Sequence, residues 1–199
     1  MKKTNTIKSL YKDSFDYIKE SKKYILTIII IFFASAIAGL IIPIPEDIVM
    51  KLMEILKEIV AQIEGKTTTE IIAFIFLNNT QATLIGLFAG IFLGIVPIIL
   101  AVTNGFLLVF VSLLSIQTAS ILSLWRILPH GIFELPAIFI SLGIGLRLGT
   151  FIFNKKPIEA LKKDLKKALI TFILIILPLL VIAALIEGMM LFVGYGKQR

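Results

Sequence analysis

The chain has 199 residues, of which 58% are hydrophobic, and a formal net charge of +7 at pH 7. Its mean hydropathy of +0.99 excludes an ordinary soluble globular domain. The absence of cysteine excludes disulfides and cysteine-based metal or redox centres. In such a composition, excess positive charge indicates anionic lipid as a partner and not nucleic acid.

Five apolar runs approach or exceed the roughly 20 residues that a spanning helix requires. We therefore expect an all-α, polytopic membrane protein with about five transmembrane helices plus amphipathic surface helices. A basic amphipathic juxtamembrane segment, residues 1–23, precedes a single membrane domain at residues 24–193. The predicted spans are residues 24–42, 82–102, 106–125, 128–153 and 169–190. The first run is too long for a signal-peptide core, so it is expected to be retained.

Lysine is distributed unevenly along the chain. Residues 1–23 hold seven lysines and residues 154–168 hold six, whereas residues 43–81 hold three lysines against six acids. Because cytoplasmic loops favour Lys and Arg, the N-terminus and the basic loop 154–168 are predicted to be cytoplasmic. The helical loop 43–81 and the C-terminus are then extracytoplasmic. The protein as a whole is expected to be a multi-pass component of the cell (cytoplasmic) membrane. An alternative topology fuses the second and third spans into one re-entrant hairpin.

The N-terminal residues 4–22 have the pattern of an amphipathic helix, with Leu10, Tyr11, Phe15 and Ile18 among lysines. One interpretation is a helix lying on the anionic lipid of the cytoplasmic leaflet. The other is a solvated basic tail that precedes the first span.

Residues 45–64 form a second amphipathic pattern, in which Ile48, Leu52, Ile55 and Ile59 recur at helical spacing. This predicts an extracytoplasmic helix with acids in its first turn. Its apolar stripe could lie on the membrane surface, bind a partner, or pack on the spans of the same chain.

Small residues recur at four-residue spacing in two predicted spans. The second span contains Gly86, Gly90 and Gly94, and the fourth contains Gly145 and Gly149. Such ladders let helix backbones approach closely. The expected use is packing within the chain, and the alternative is a homodimer seam.

Asn104 and Gly105 form a strong turn signal between the second and third predicted spans. Pro97 is expected to kink the second span. Arg147, near the inner end of the fourth span, is expected to have a mainly topological role as its side chain snorkels to the cytoplasmic surface.

Ionisable side chains within apolar sequence indicate functional or paired positions. His130 and Glu134 stand four residues apart on one helix face, and Arg126 lies one turn earlier. Glu187 reaches a similar depth in the last span. The candidate intramembrane polar cluster consists of Arg126, His130, Glu134, Glu187, Asn78 and Asn79. A structural salt bridge and a proton or ion site both fit this set. Helix capping and interfacial hydrogen bonding also explain the two asparagines.

The run PHGIFELPA, residues 129–137, resembles the stage II sporulation protein M family of membrane proteins. The resemblance covers residues 75 to 190 and includes Asn78, Asn79, Gly86, Gly90, Asn104, Gly105, the run Gly143–Gly149 and the run Ala183–Gly188. It implies a multi-span α-helical membrane protein. In endospore-forming bacteria it further implies a scaffold for two secreted peptidoglycan-processing partners in the complex that drives engulfment. Relatives also occur in organisms without spores.

These observations predict a non-enzymatic scaffold without catalytic residues, metal or cofactor, which holds protein partners in or outside the membrane. A small transporter or proton-linked channel that uses His130, Glu134 and Glu187 is the alternative. An intramembrane metalloenzyme is disfavoured because zinc sites usually need three protein ligands, and the chain has one histidine.

Overall fold

The computed structural model describes residues 2–42, 44–118 and 128–196, and the side chains of residues 6–42, 44–117 and 131–190. In these ranges all regular secondary structure is helical, so the predicted all-α class is confirmed. Five helical segments of the described ranges are long and apolar enough to span a membrane. The helices are α1 (Lys2–Glu20), α2 (Lys22–Ile41), α3 (Glu46–Ile63), α4 (Thr68–Phe88), α5 (Ile95–Thr118), α6 (Leu128–Gly149), α7 (Pro157–Thr171) and α8 (Leu177–Gly196).

The turn between the second and third spans lies ten residues before the predicted position. After α4 and a 3-10 turn at Ala89–Ile91, Leu93 and Gly94 take positive φ values of 57° and 71°. The candidate spans are accordingly Thr68–Ile91 and Ile95–Gln117, which differ from the predicted 82–102 and 106–125. The prediction of a turn at Asn104 and Gly105 is wrong, because α5 continues through both residues.

Two local causes explain this difference. Pro97 occupies the first turn of α5, where backbone N–H groups have no intrahelical acceptor, so the missing donor costs little. Gly105 is a packing residue, because a Cβ there would overlap the backbone carbonyl of Phe32 in α2. The close approach of α2 and α5 therefore explains why position 105 is a glycine, a residue that would favour a turn in a soluble protein.

The spans form a bundle in which α6 is the central helix. Half of its spanning window is buried, a larger share than in the other four candidate spans. It packs against α2, α4, α5 and α8. Ala137, Ile144 and Leu148 of α6 lie in one buried cluster with Ile176 and Leu180 of the last span. Arg147 of α6 pairs with Asp164 before the last span, whereas Glu134 interacts with Glu187 late in it, so α6 and the last span run antiparallel.

The last span is a nearly continuous helix from α7 to α8. Phe172–Ile176 between them forms a π-helical turn, in which the Leu177 N–H donates to the Phe172 carbonyl. This wider turn comes just before Pro178, which has no N–H and crowds the carbonyl four residues earlier. The basic helix α7 thus continues directly into the span.

The two surface helices differ in how they are held. The side of α1 that carries Tyr17 packs on α7, and the two helices run in the same direction because Tyr17 meets Asp164 while Glu20 meets Lys167. In contrast, α3 contains no buried residue.

Candidate functional site

Two carboxyl groups lie close to each other, Glu134 on α6 and Glu187 on α8. The antiparallel packing of these helices brings Glu134 close enough to Glu187 for their charges to interact. Both side chains are half-buried and take part in polar or electrostatic contacts. An acid pair in a predominantly apolar bundle requires shared protons, hydrogen bonds or a counter-charge.

The other ionisable members of the predicted cluster fall in the part that the structure leaves out. Arg126 lies outside the described residues. The backbone of His130 belongs to the first turn of α6, but its side chain is also outside them. Their proximity to Glu134 and Glu187 therefore stays a prediction.

The asparagines lie well inside α4, so the capping interpretation is wrong. The helix is capped by Thr67 and Glu70, which form a reciprocal capping box.

Ile72 packs at the level of Gly188, next to Glu187. Asn79 lies seven residues further along α4, about 10 Å deeper at the usual rise per residue. Asn78 is exposed and Asn79 half-buried.

The two glycine ladders face each other across α4 and α6. A Cβ on Gly90 would overlap the backbone carbonyl of Gly145, and a Cβ on Gly145 would overlap that of Gly86. Gly149 meets the backbone of Gly94, which lies in the turn after α4 and not in the span. The expectation of packing within the chain is confirmed. A homodimer seam through these glycines is wrong, because α6 occupies it.

Two serines add hydrogen bonds between spans. The Ser141 hydroxyl of α6 donates to the Thr83 carbonyl of α4 over 2.8 Å. The Ser35 hydroxyl of α2 donates to the Val102 carbonyl of α5 over 2.7 Å. Both bonds accompany a close-packed helix pair, so small residues bring the backbones together and a hydroxyl then reaches across.

The C-terminal end of α6 carries an ionic cluster that the sequence did not reveal, formed by Arg147, Ser21, Glu20 and Asp164. The Arg147 guanidinium donates to the Ser21 hydroxyl at 3.0 Å, to Glu20 Oε2 at 3.2 Å and to Asp164 Oδ2 at 3.4 Å. Its side chain is only 17% exposed. Arg147 therefore joins α6 to both α1 and α7, and its predicted role as a mainly topological, snorkelling residue was incomplete.

Tyr17 also belongs to this cluster, because the Arg147 guanidinium lies over its ring. The Tyr17 hydroxyl donates to the Asp164 backbone carbonyl over 3.3 Å. Burial, followed by the charge of Asp164, raises the pKa of the Tyr17 phenol above its ordinary value. The Tyr17 phenol is therefore neutral at physiological pH, and the face of its ring contacts Arg147.

Glu20 is the exposed acid of the cluster. Lys167 Nζ approaches its carboxylate to 3.3 Å. Desolvation tends to raise the pKa of Glu20, but the hydrogen bonds from Arg147 and Lys167 outweigh it and hold the pKa below its usual value. The cluster thus favours charged Glu20, as expected of a structural junction.

Within the described side chains, no three His, Asp or Glu residues come together as a metal site. The polar chemistry of the described bundle is thus concentrated in the Glu134–Glu187 pair at one end and the Arg147 cluster at the other.

The sequence matches the profile of the family described as stage II sporulation protein M over residues 15–190. No curated protein and no solved structure matches. The match covers all five candidate spans, and together they indicate a membrane location. The chain therefore belongs to the stage II sporulation protein M family.

Proposed function

We propose that the protein is a non-enzymatic membrane scaffold whose helix α3 binds a protein partner on the extracytoplasmic side. The observation that carries this proposal is the exposure of the apolar stripe of α3. Ile48, Ile55 and Ile59 each leave about two-fifths or more of their surface exposed. Short connections join α3 to a span at either end, so this stripe stays close to the membrane.

The other edge of the same helix faces the neighbouring spans across a groove. Val49 and Met53 line a groove with Gly39 and Phe110 of the neighbouring spans. Ile63 packs against a small buried cluster that includes Ile75 of α4. Part of the apolar face therefore contacts the chain itself, and the stripe at Ile55 remains available.

The proposed orientation follows from charge. The lysine-rich α1 and α7 lie at the inner end and the acidic α3 at the outer end, as the cytoplasmic preference of Lys and Arg requires. This assignment puts α3 where secreted partners, of the kind that the family resemblance implies, could reach it.

Photo-crosslinking at Ile55 in native membranes tests the proposal. A photoreactive residue at Ile55 should give a protein adduct, whereas one at Lys57, on the polar side of α3, should not. Ile48→Glu should abolish the adduct at Ile55, because a charge in an apolar interface is costly. Adducts with lipid only, or equal protein adducts at both positions, would contradict the scaffold proposal.

A proton-linked transporter is the second candidate, and the closeness of Glu134 and Glu187 favours it. Paired intramembrane acids are typical of proton relays. Proton flux into sealed liposomes should then depend on Glu134, and Glu134→Gln should remove it without unfolding the protein. Equal flux from wild type and variant would reject this function.

A further inference from the structure

The exposed face of α1 carries three apolar side chains in register. Ile7, Tyr11 and Phe15 recur every four residues and are 55%, 39% and 53% exposed. They are distinct from the face that packs on α7, where Ser14 and Tyr17 are buried. The structure therefore divides the apolar side of α1 into a buried part and an exposed part, which we call the α1 stripe (Ile7, Tyr11, Phe15).

Charges are segregated around this helix. Lys8 and Lys12 each follow a member of the stripe, which puts them about 100° further round, on one flank. Both lysines are exposed. Asp13 lies on the opposite side of α1, about 200° from Tyr11. Asp16 follows Phe15 on the lysine flank, where Lys19 Nζ approaches its carboxylate to 3.9 Å. The flank that borders the apolar stripe therefore carries Lys8, Lys12 and Lys19 against the single acid Asp16, and is net positive.

The stripe also lies close to the bilayer along the chain. Helix α1 passes through Ser21 directly into the span α2. Phe15 precedes Lys22 by seven residues, or about 10 Å of helix. The surface nearest to the stripe is therefore the membrane that α2 enters.

The helix paired with α1 shows the same combination. On α7, Ile158 and Leu169 are exposed, and Lys162 and Lys166 beside them are exposed as well. Apolar side chains flanked by lysine, on two helices that adjoin the bilayer, are typical of helices that lie in the interface of an anionic membrane.

We propose that the α1 stripe inserts into the bilayer interface and that Lys8 and Lys12 bind the headgroups of anionic lipids there. The occupant is an anionic lipid surface, because net positive charge borders the stripe on the flank that does not pack on α7. Arg147 and Tyr17 hold the other side of α1 on the bundle, so the helix can lie on the membrane without leaving its partner helix.

Nitroxide labels on single cysteines test this directly, since the chain has no cysteine of its own. Full-length protein labelled at position 11 or 15, in the stripe, is compared with protein labelled at position 9 or 13, away from it. All four side chains are exposed, so the substitutions leave the core intact. In phosphatidylcholine nanodiscs containing phosphatidylglycerol, labels at 11 and 15 should be reached by oxygen and shielded from an aqueous nickel complex. Labels at 9 and 13 should show the reverse.

The role of Lys8 and Lys12 is tested with matched variants. Lys8→Gln with Lys12→Gln should lose most of the oxygen accessibility at positions 11 and 15, as should omission of phosphatidylglycerol. Lys51→Gln with Lys57→Gln on α3 removes the same charge and should change nothing. A melting curve for each variant confirms that it is folded.

Three results would overturn the proposal. Nickel accessibility at 11 and 15 equal to that at 9 and 13 would mean that the stripe lies in water. Protection from both reagents would mean that protein covers it. If the labels at 11 and 15 are immersed equally without phosphatidylglycerol, then anionic lipid is not required for insertion. Nanodiscs present the same lipid on both faces, so none of these results depends on the orientation or the scaffold role proposed above.

Discussion

The guanidinium carbon of Arg147 lies 4.4 Å from the ring centroid of Tyr17. This places a cation from the central span over a buried aromatic ring of the N-terminal helix, at a distance typical of cation–π attraction. Residues 126 positions apart in the sequence, Ser21 and Arg147, are hydrogen-bonded at the same point. The junction joins three helices at one side chain.

Arg147→Ala should destabilise the protein by about 1–3 kcal/mol, because it leaves the charged partners Glu20 and Asp164 without their main donor. Arg147→Lys should recover only part of this, since an ammonium group cannot match the guanidinium fork. Thermal unfolding in detergent measures both. Lys156→Ala is the control, because its pair with Glu159 is exposed and worth about 0–1 kcal/mol. Equal losses for Arg147→Ala and Lys156→Ala would show that the junction carries no special stability.

Acid should loosen α1 from α7. The pKa of Glu20 is lowered in the folded protein, so its contribution is complete above the ordinary carboxyl pKa and is lost as the pH falls through the lower folded-state value. Because Glu20 is half exposed, we expect partial loosening and not unfolding. Spin-label distances between positions 12 and 163 should broaden at low pH.

The matched variant for this measurement is Glu20→Gln. It should show the broadened distance distribution already at neutral pH and little further change in acid. Glu159→Gln, which removes an exposed acid of α7, should behave as wild type. A wild-type response retained by Glu20→Gln would assign the pH dependence to another group.

Gly90→Ala should destabilise the bundle by about 1–3 kcal/mol or more, the range for an overpacked core. The added Cβ meets the backbone of Gly145, which cannot rotate away as a side chain could. Gly131→Ala is the control, because the nearest contact of its Cβ would be an ordinary 3.8 Å to Leu135. Thermal unfolding that ranks Gly131→Ala as the more harmful change would be incompatible with the seam.

Single cysteines test the orientation. Val60→Cys on α3 should react with a membrane-impermeant maleimide in intact cells, whereas Lys163→Cys on α7 should react only after permeabilisation. Both positions are exposed, so accessibility to solvent does not separate them. Labelling of both in intact cells would contradict the assignment of α7 to the cytoplasm.

The roles of size and charge in the Glu134–Glu187 pair can be tested separately. If Glu134 is structural, Glu134→Gln should be tolerated because it keeps shape and hydrogen bonding. Glu134→Ala should cost about 1–3 kcal/mol, since buried partners lose their bond. Glu54→Ala on the exposed surface of α3 serves as the control. A loss from Glu134→Gln as large as that from Glu134→Ala would show that the charge itself is required for folding.

The sequence was most informative where the bilayer dictates the pattern. Apolar length predicted the helical class, and the glycine spacing predicted close helix packing at Gly90, because both depend on local periodicity. The partner of Gly90, the backbone of Gly145, came only from the structure. The turn was misplaced because Asn104 and Gly105 are turn formers in water, whereas here Gly105 meets the α2 backbone. That contact is long-range, and no local pattern encodes it.

The Arg147 junction was missed for the same reason. Its acids, Glu20 and Asp164, come from lysine-rich segments in which they look like ordinary surface charges. Only the parallel pairing of α1 with α7 makes them converge on one guanidinium. Similarly, the serines that bond between spans, Ser35 and Ser141, were not distinguished from other small polar residues.

The contact of Gly90 with Gly145 restricts how this protein can vary over evolutionary time. In an ordinary core, a larger residue on one helix can be accommodated when a second mutation shortens its neighbour. Here the neighbour is a glycine whose backbone makes the contact, so no shorter residue exists. Second-site suppressors of Gly90→Ala should therefore not occur at position 145. They would have to act at a distance, by shifting α4 or α6 as a whole.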